Sequence, residues 1–164
     1  MTDLAAGLDR LRAGDPAAAA VLSEERLPLI VTTLLRYMDE IERFNPAYGL
    51  VKVKNRDELI RRHILDSLAP LGHIARLLRL PDCPVEPGTP DKPGVPDASG
   101  PAAPARLADA GSGAGLPGIP LGICLPGVEV TLIERMGRRA NFLRNTLAAL
   151  ALPRIAVEEA ELEK

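Results

Sequence analysis

The sequence predicts an α/β chain in which an α-helical N-terminal module precedes the first part of a Rossmann-like parallel sheet. Three observations predict it. Apolar residues recur at helical spacing through the first 80 residues. After residue 105 the pattern changes to short apolar runs alternating with helical ones, in the order βαβαβ. A glycine-rich run from Gly111 to Gly115 joins the first of these strands to the next helix.

In residues 1–80, Asp3 can cap one short helix, and Asp15, followed by Pro16 at the first helical position, can cap another. Both are expected to be short and marginal. The longest helix follows Ser23, where Val31, Leu34, Leu35, Met38 and Ile41 recur at helical spacing, with Asp39, Glu40, Glu42 and Arg43 mostly off that stripe. Asn45-Pro46 is expected to end it, because the residue before a proline avoids helical angles. Leu50 to Val53 reads as briefly extended. Asn55 or Asp57 then starts a helix through Leu68, and a further one covers residues 71–79.

Residues 81–105 hold eight of the chain's sixteen prolines, with Gly88, Gly94 and Gly100 among them. The first six prolines recur at every third residue, the period of a polyproline II helix, so the segment reads as an extended, semi-rigid linker. A spacer and a PxxP partner site are its two readings, the spacer being the simpler.

Residues 106–164 form the α/β part. Arg106 to Ala110 reads as a strand running into the glycine run, and residues 118–125 as a helix. Val128 to Ile133 alternates and is β-branched, Arg138 to Leu150 has helical spacing, and Ile155 to Val157 is a third strand. This order implies parallel strands with right-handed crossovers.

The composition narrows the function. With 164 residues, 46% hydrophobic and 26% charged, the chain can bury a core. No apolar run is long enough to span a membrane and no secretory leader is recognised, so no membrane partner is expected. Cys83 and Cys124 show no CxxC pattern, which indicates neither a disulfide framework nor a metal site and points to a reducing cytoplasm. A net charge of -2 carries no overall signature for nucleic acid. Tyr37, Phe44, Tyr48 and Phe142 are too few for a base-stacking platform, so RNA would be held by charge and shape.

The run Asp109-Ala-Gly111-Ser112-Gly113-Ala-Gly115 demands positive φ angles and missing Cβ atoms, as a loop does when a cofactor packs onto its main chain. Glu134 closes the next strand 21 residues after Gly113, where a carboxylate can accept from both hydroxyls of a ribose. Two cofactors fit this pattern. Gly113-x-Gly115-x-x-Gly118 satisfies the dinucleotide motif, but Asp109 would repel a pyrophosphate, whereas a sulfonium methyl donor carrying an amino group tolerates it. A tight turn without any ligand is the remaining reading.

Three runs together closely resemble the bacterial 16S rRNA guanine-N7 methyltransferases, the glucose-inhibited division protein B family. They are His63-Ile-Leu-Asp66-Ser67-Leu68, Asp109 through Leu121 with its Gly-Leu-Pro-Gly centre, and Leu132-Ile-Glu134-x-x-x-Arg138-Arg139-x-x-Phe142-Leu143. The resemblance covers residues 23–80 and 106–164 and leaves the proline-rich stretch as an insertion. It implies a class I S-adenosylmethionine-dependent methyltransferase domain behind a helical module, acting on a guanine of small-subunit rRNA. Asp109, Gly111, Ser112, Gly113, Gly115, Leu116 and Glu134 would then hold the cofactor. His63, Asp66 and Ser67, at i, i+3 and i+4 of a helix, would face the cofactor domain or simply fix an interdomain contact.

Guanine N7 carries an in-plane lone pair and no proton, so its methylation needs no general base and no catalytic side chain is assigned. Alignment and desolvation can supply about 7–11 kcal/mol of such a barrier. Two groups of cations are candidates for holding rRNA. One is Lys52, Lys54, Arg56, Arg61 and Arg62; the other is Arg135, Arg138, Arg139, Arg144 and Arg154, in a stretch without an acid from 135 to 157.

The chain departs from the family soon after the third strand. In this family's topology the fourth strand would lie beside the first, so a C-terminal segment is expected to be missing and the first strand to keep an unpaired edge. The acidic residues Glu158, Glu159, Glu161 and Glu163 read as an exposed continuation of the third strand. An RNA-binding remnant without catalysis and a dinucleotide-dependent oxidoreductase are the alternative functions.

Overall fold

The computed structural model describes residues 3–80, 83, 104–125 and 127–161. The polyproline reading of residues 81–105 falls almost wholly outside them.

Helix α1 (Asp3–Gly14) is three turns long rather than marginal, and it buries Leu4, Gly7 and Leu8. Helix α2 (Pro16–Val21) starts as expected, Asp15 accepting from the Ala17 N–H at 2.8 Å. The same Asp15 carboxylate takes both Arg76 nitrogens, at 2.7 and 2.9 Å, which ties α2 to helix α6 (Leu71–Leu77). Gly72 allows this approach, since a Cβ there would lie 2.1 Å from Asp15 Oδ2.

Helix α3 (Leu27–Tyr48) runs two residues past Pro46, not ending at Asn45-Pro46. A proline in the last turn removes one hydrogen bond near a terminus, where the cost is small, and the true stop is Gly49 at φ 59. Asn45 instead secures the chain beyond the helix. Its side chain donates to Val51 O at 3.0 Å and accepts from Val51 N–H at 2.9 Å, holding residues 50–53 without a strand.

Asn55 caps helix α4 (Arg56–Leu59) through the Glu58 N–H at 2.9 Å. The helix continues through a π-helical segment (Ile60–Leu65) into α5 (Asp66–Leu68). Ile60, Ile64 and Leu68 are all buried and spaced by four, wider than the α-helical period, and the wider π turn keeps them on one face.

The sheet is parallel in the order β1 (Arg106–Ala110), β2 (Glu129–Ile133), β3 (Ile155–Glu158). Leu107 aligns with Val130 and Asp109 with Leu132; Val130 and Leu132 in turn align with Ile155 and Val157. These residues form the face against helix α7 (Gly118–Cys124), whose Gly118 and Gly122 lie too close to Leu132, Asp109, Val130 and Ile155 for any side chain. Helix α8 (Gly137–Leu150) follows β2 and packs on β3. Ala108, Ala110 and Ala156 on the opposite face are exposed, and among the described residues β1 lies at one edge of the sheet.

The buried side chains of the helical module and of the α/β part form one cluster. Phe44, Tyr48 and Phe142 meet at its α3–α8 seam, with ring centroids 5.9 to 6.4 Å apart. The scarce aromatics thus join the two parts.

Candidate functional site

The glycine loop leaves the carboxyl end of β1, where parallel sheets place ligands. Gly111, Gly113 and Gly115 have φ of 78, 58 and 95, as the sequence demanded. They serve different ends. A Cβ on Gly115 would strike Ile119 and Leu143, so that glycine is needed for packing. Around Gly111 a Cβ would meet nothing within 4 Å, and around Gly113 only the Gly111 carbonyl at 3.8 Å. Those two positions turn bare backbone toward open space.

The loop is held from several sides. The Ile133 carbonyl at the end of β2 accepts from Gly111 N–H at 2.8 Å and Ser112 N–H at 3.1 Å. Ser112 Oγ donates to the Asp109 carbonyl at 2.8 Å, and the Ser112 carbonyl accepts from Gly115 at 2.7 Å and Leu116 at 3.1 Å. Glu134, buried at 4% exposure, accepts from Gly113 N–H at 2.9 Å and from Met136 N–H at 2.8 Å, joining the loop to the start of α8. Sequence spacing brought Glu134 to this site, but its hold on Gly113 was not foreseen.

Asp109 is turned to the first turn of α7, where its Oδ2 accepts from Gly118 N–H at 3.0 Å. Burial pushes its pKa above the ordinary carboxylate value, against the lowering effect of the Gly118 and Ser112 hydrogen bonds. A carboxylate thus already occupies the helix start at which a dinucleotide's pyrophosphate would have to sit. Gly118, the third glycine of the dinucleotide pattern, is pressed against Leu132 and Asp109, the close helix–strand packing that position serves, so it does not separate the two cofactors.

A cleft of about 370 Å³ opens beside the loop, lined by Gly111, Ile133, Glu134, Arg135, Met136, Arg139, Ala160 and Glu161. An adenosyl cofactor fits these residues: open glycine backbone at one wall, a buried carboxylate at the strand end, and the methionine Met136 at the other wall.

The remaining sequence candidates are dispersed. Arg139 lines the cleft, with a buried Nε that has no hydrogen-bond partner among the described residues. Arg138 is exposed and donates to the Ala47 carbonyl, while Arg144 pairs with Glu159 at 3.2 Å and Arg135 with Glu161 at 3.3 Å. The acidic continuation of β3 therefore neutralises two cations of the basic stretch, a pairing hidden by its separation along the chain. In the other group, Arg56 is bound to Glu42 and Asp39, and Arg62 to Glu58. His63 and Ser67 are half-buried and Asp66 exposed, and their side chains make no hydrogen bond among the described residues. Their turn is brought near the loop only through the packing of α5 on α7.

Tyr37 was missed by motif reading. It is fully buried on α3, and its hydroxyl donates to the Ala114 carbonyl, inside the loop, at 2.8 Å. Nothing local marks it, because its partner lies 77 residues away.

Among the described residues no helix is long and apolar enough to cross a membrane. The family model of rRNA small subunit methyltransferase G matches residues 30–83 and 99–164, and the gap between these stretches falls within the proline-rich segment. Proteins called "Ribosomal RNA small subunit methyltransferase G" are similar to this chain. That of Stenotrophomonas maltophilia (strain K279a) is 34% identical over 154 residues, covering 90% of this chain and 59% of the relative. That of Nitrosomonas europaea is 34% identical over 135 residues, 82% of this chain and 50% of the relative. The Xanthomonas campestris pv. campestris (strain B100) protein is 38% identical over 130 residues, 79% of this chain and 48% of the relative. The chain thus spans about half the length of the curated relatives it matches. With its helical module, its partial class I methyltransferase sheet and these matches, the chain belongs to the rRNA small subunit methyltransferase G family.

Proposed function

We propose that this chain carries the cofactor half of an S-adenosylmethionine-dependent enzyme that methylates N7 of a guanine in small-subunit rRNA. The observation that carries the reading is the loop itself: Gly111 and Gly113 present open backbone beside buried Glu134, while Asp109 closes the anion site that a dinucleotide would need. Membership of the family supplies the rRNA substrate class.

When bound, the sulfonium cofactor supplies an electrophilic methyl group. The chain's own residues bind and orient. Gly111, Ser112, Gly113, Gly115 and Leu116 form the loop wall, Glu134 accepts from the ribose with the lone pairs its two backbone donors leave free, and Asp109 fixes the loop against α7. Arg139, which lines the cleft, takes rRNA phosphate together with Arg138 and Arg144 elsewhere on α8, and His63 of the π-helical segment with Asp66 and Ser67 of α5 face the cofactor domain through the packing of α5 on α7. No side chain has to move a proton, because N7 has none to lose. Alignment of the two reactants is then the source of rate.

The test is transfer of labelled methyl from S-adenosylmethionine to 16S rRNA or the small subunit, by a family-length chain with and without Gly113→Asp. Incorporation at guanine N7 that the substitution abolishes supports the proposal. Incorporation indifferent to Gly113 would refute it.

A further inference from the structure

We propose that Tyr37, from the helical module, is a positioning residue for the cofactor loop: its hydroxyl fixes the Ala114–Gly115 peptide plane and so holds the turn from Gly111, which lines the cleft, to Gly115 in one shape. The inference rests on the reading of that loop as a cofactor site.

The Ala114 carbonyl and the Gly115 N–H belong to one peptide unit. Its carbonyl accepts from Tyr37 at 2.8 Å, and its N–H donates to the Ser112 carbonyl at 2.7 Å. Rotating this plane changes ψ of Ala114 and φ of Gly115, and glycine takes either sign of φ at little steric cost. The loop's composition, which suits it to a ligand, therefore leaves this plane free to flip unless both ends are tied. One end is tied within the loop; the other is tied from α3.

The tie is well built for this task. Tyr37 and Ala114 are 0% and 3% exposed, so no water can replace the hydroxyl. Burial first, and the charge of Asp109 second, raise the phenol's pKa well above its usual value, so the group stays a donor at any working pH. Three guanidinium contacts hold the frame around it. Arg26 donates to Cys124 O at the end of α7, Arg36 to Ala149 O at the end of α8, and Arg138 to Ala47 O at the end of α3. Docking of the helical module and the shape of the loop are thus one event. A ligand that needs the loop in this shape must stabilise the docked module by the same factor, by linkage.

The experiment uses the whole 164-residue chain and three forms, wild type, Tyr37→Phe and Leu34→Ala. Leu34 is buried on α3 about one turn away and touches no loop carbonyl in the hydrogen-bond pattern, so it controls for a general loss of stability. Amide hydrogen exchange of Gly115 and Leu116 is measured first, without ligand. Tyr37→Phe is expected to speed both about tenfold beyond what Leu34→Ala does at matched overall stability, as for loss of one buried hydrogen bond. S-adenosylhomocysteine affinity by calorimetry is expected to fall about tenfold in Tyr37→Phe and little in Leu34→Ala. Exchange at Gly115 no faster than in the control overturns the tie. Selective exchange with unchanged affinity overturns its role toward the cofactor. A wild-type chain that binds no S-adenosylhomocysteine refutes the cofactor reading itself, while the exchange result still decides whether Tyr37 holds the loop.

Discussion

Arg138, in the first turn of α8, donates to the Ala47 carbonyl at 2.8 Å and lays its guanidinium 5.2 Å from the centre of the Tyr48 ring. A residue whose sequence context suggests phosphate binding is thus also a clasp on the last turn of α3, where a cation meets the negative end of the helix. Arg138→Ala should therefore lower stability by about 1 kcal/mol, measured by urea unfolding. No change in midpoint would mean that the contact contributes nothing in solution.

Arg144 behaves differently. Its ion pair with Glu159 joins two half-exposed side chains, so Arg144→Ala should change stability by less than about 0.5 kcal/mol. RNA binding should weaken equally across sequences, and the slope of log affinity against log salt should drop by about 1. A large loss of stability with an unaltered salt slope would assign Arg144 to the fold alone.

Much of the α/β part was legible in the sequence because its signals are local. Alternation and β-branching mark 129–133, and three glycines between a strand and a helix announce their positive φ angles. The helical module was legible in outline only. Pro46 lies in a last turn that tolerates it, and the spacing of Ile60, Ile64 and Leu68 conceals a π segment within a helical pattern. Tyr37 and the three interface arginines were illegible, since each pairs with a backbone carbonyl 77 to 113 residues away in the chain and carbonyls have no sequence signature.

The glycines should separate packing from binding. A Cβ on Gly118 would lie 2.3 Å from Leu132 and 2.7 Å from Asp109, so Gly118→Ala should cost about 1–3 kcal/mol of stability by overpacking. Gly113→Ala meets open space, and its cost is limited to the left-handed backbone, about 1–2 kcal/mol. Its larger effect should be on cofactor affinity, seen by calorimetry at a temperature where both variants are folded. Equal loss of affinity in the two variants would remove the distinction.

Two aspartates should give opposite pH behaviour. The Arg76 hydrogen bond holds Asp15 below its ordinary pKa of 3.8, so its stabilisation is complete above that value and is lost as pH falls through the folded pKa. Asp15→Asn keeps the cap, loses the ion pair and should flatten the acid limb of stability against pH. Asp109 is raised by burial, so the folded state holds its proton more tightly than the unfolded chain. Its contribution declines as pH rises from 3.8 through the folded pKa, and Asp109→Asn should remove that decline. Urea midpoints from pH 3 to 7 decide both, and slopes of the same sign would contradict the assignment.

The central claim is that the loop from Gly111 to Gly115, with Glu134, receives an adenosyl methyl donor. Calorimetric titration of the chain with S-adenosylhomocysteine, repeated in the presence of a nicotinamide dinucleotide and with Gly113→Asp, tests it most directly. The account predicts saturable one-to-one binding that the dinucleotide does not displace and that Gly113→Asp abolishes. Displacement by the dinucleotide, or binding unchanged by Gly113→Asp, would contradict it.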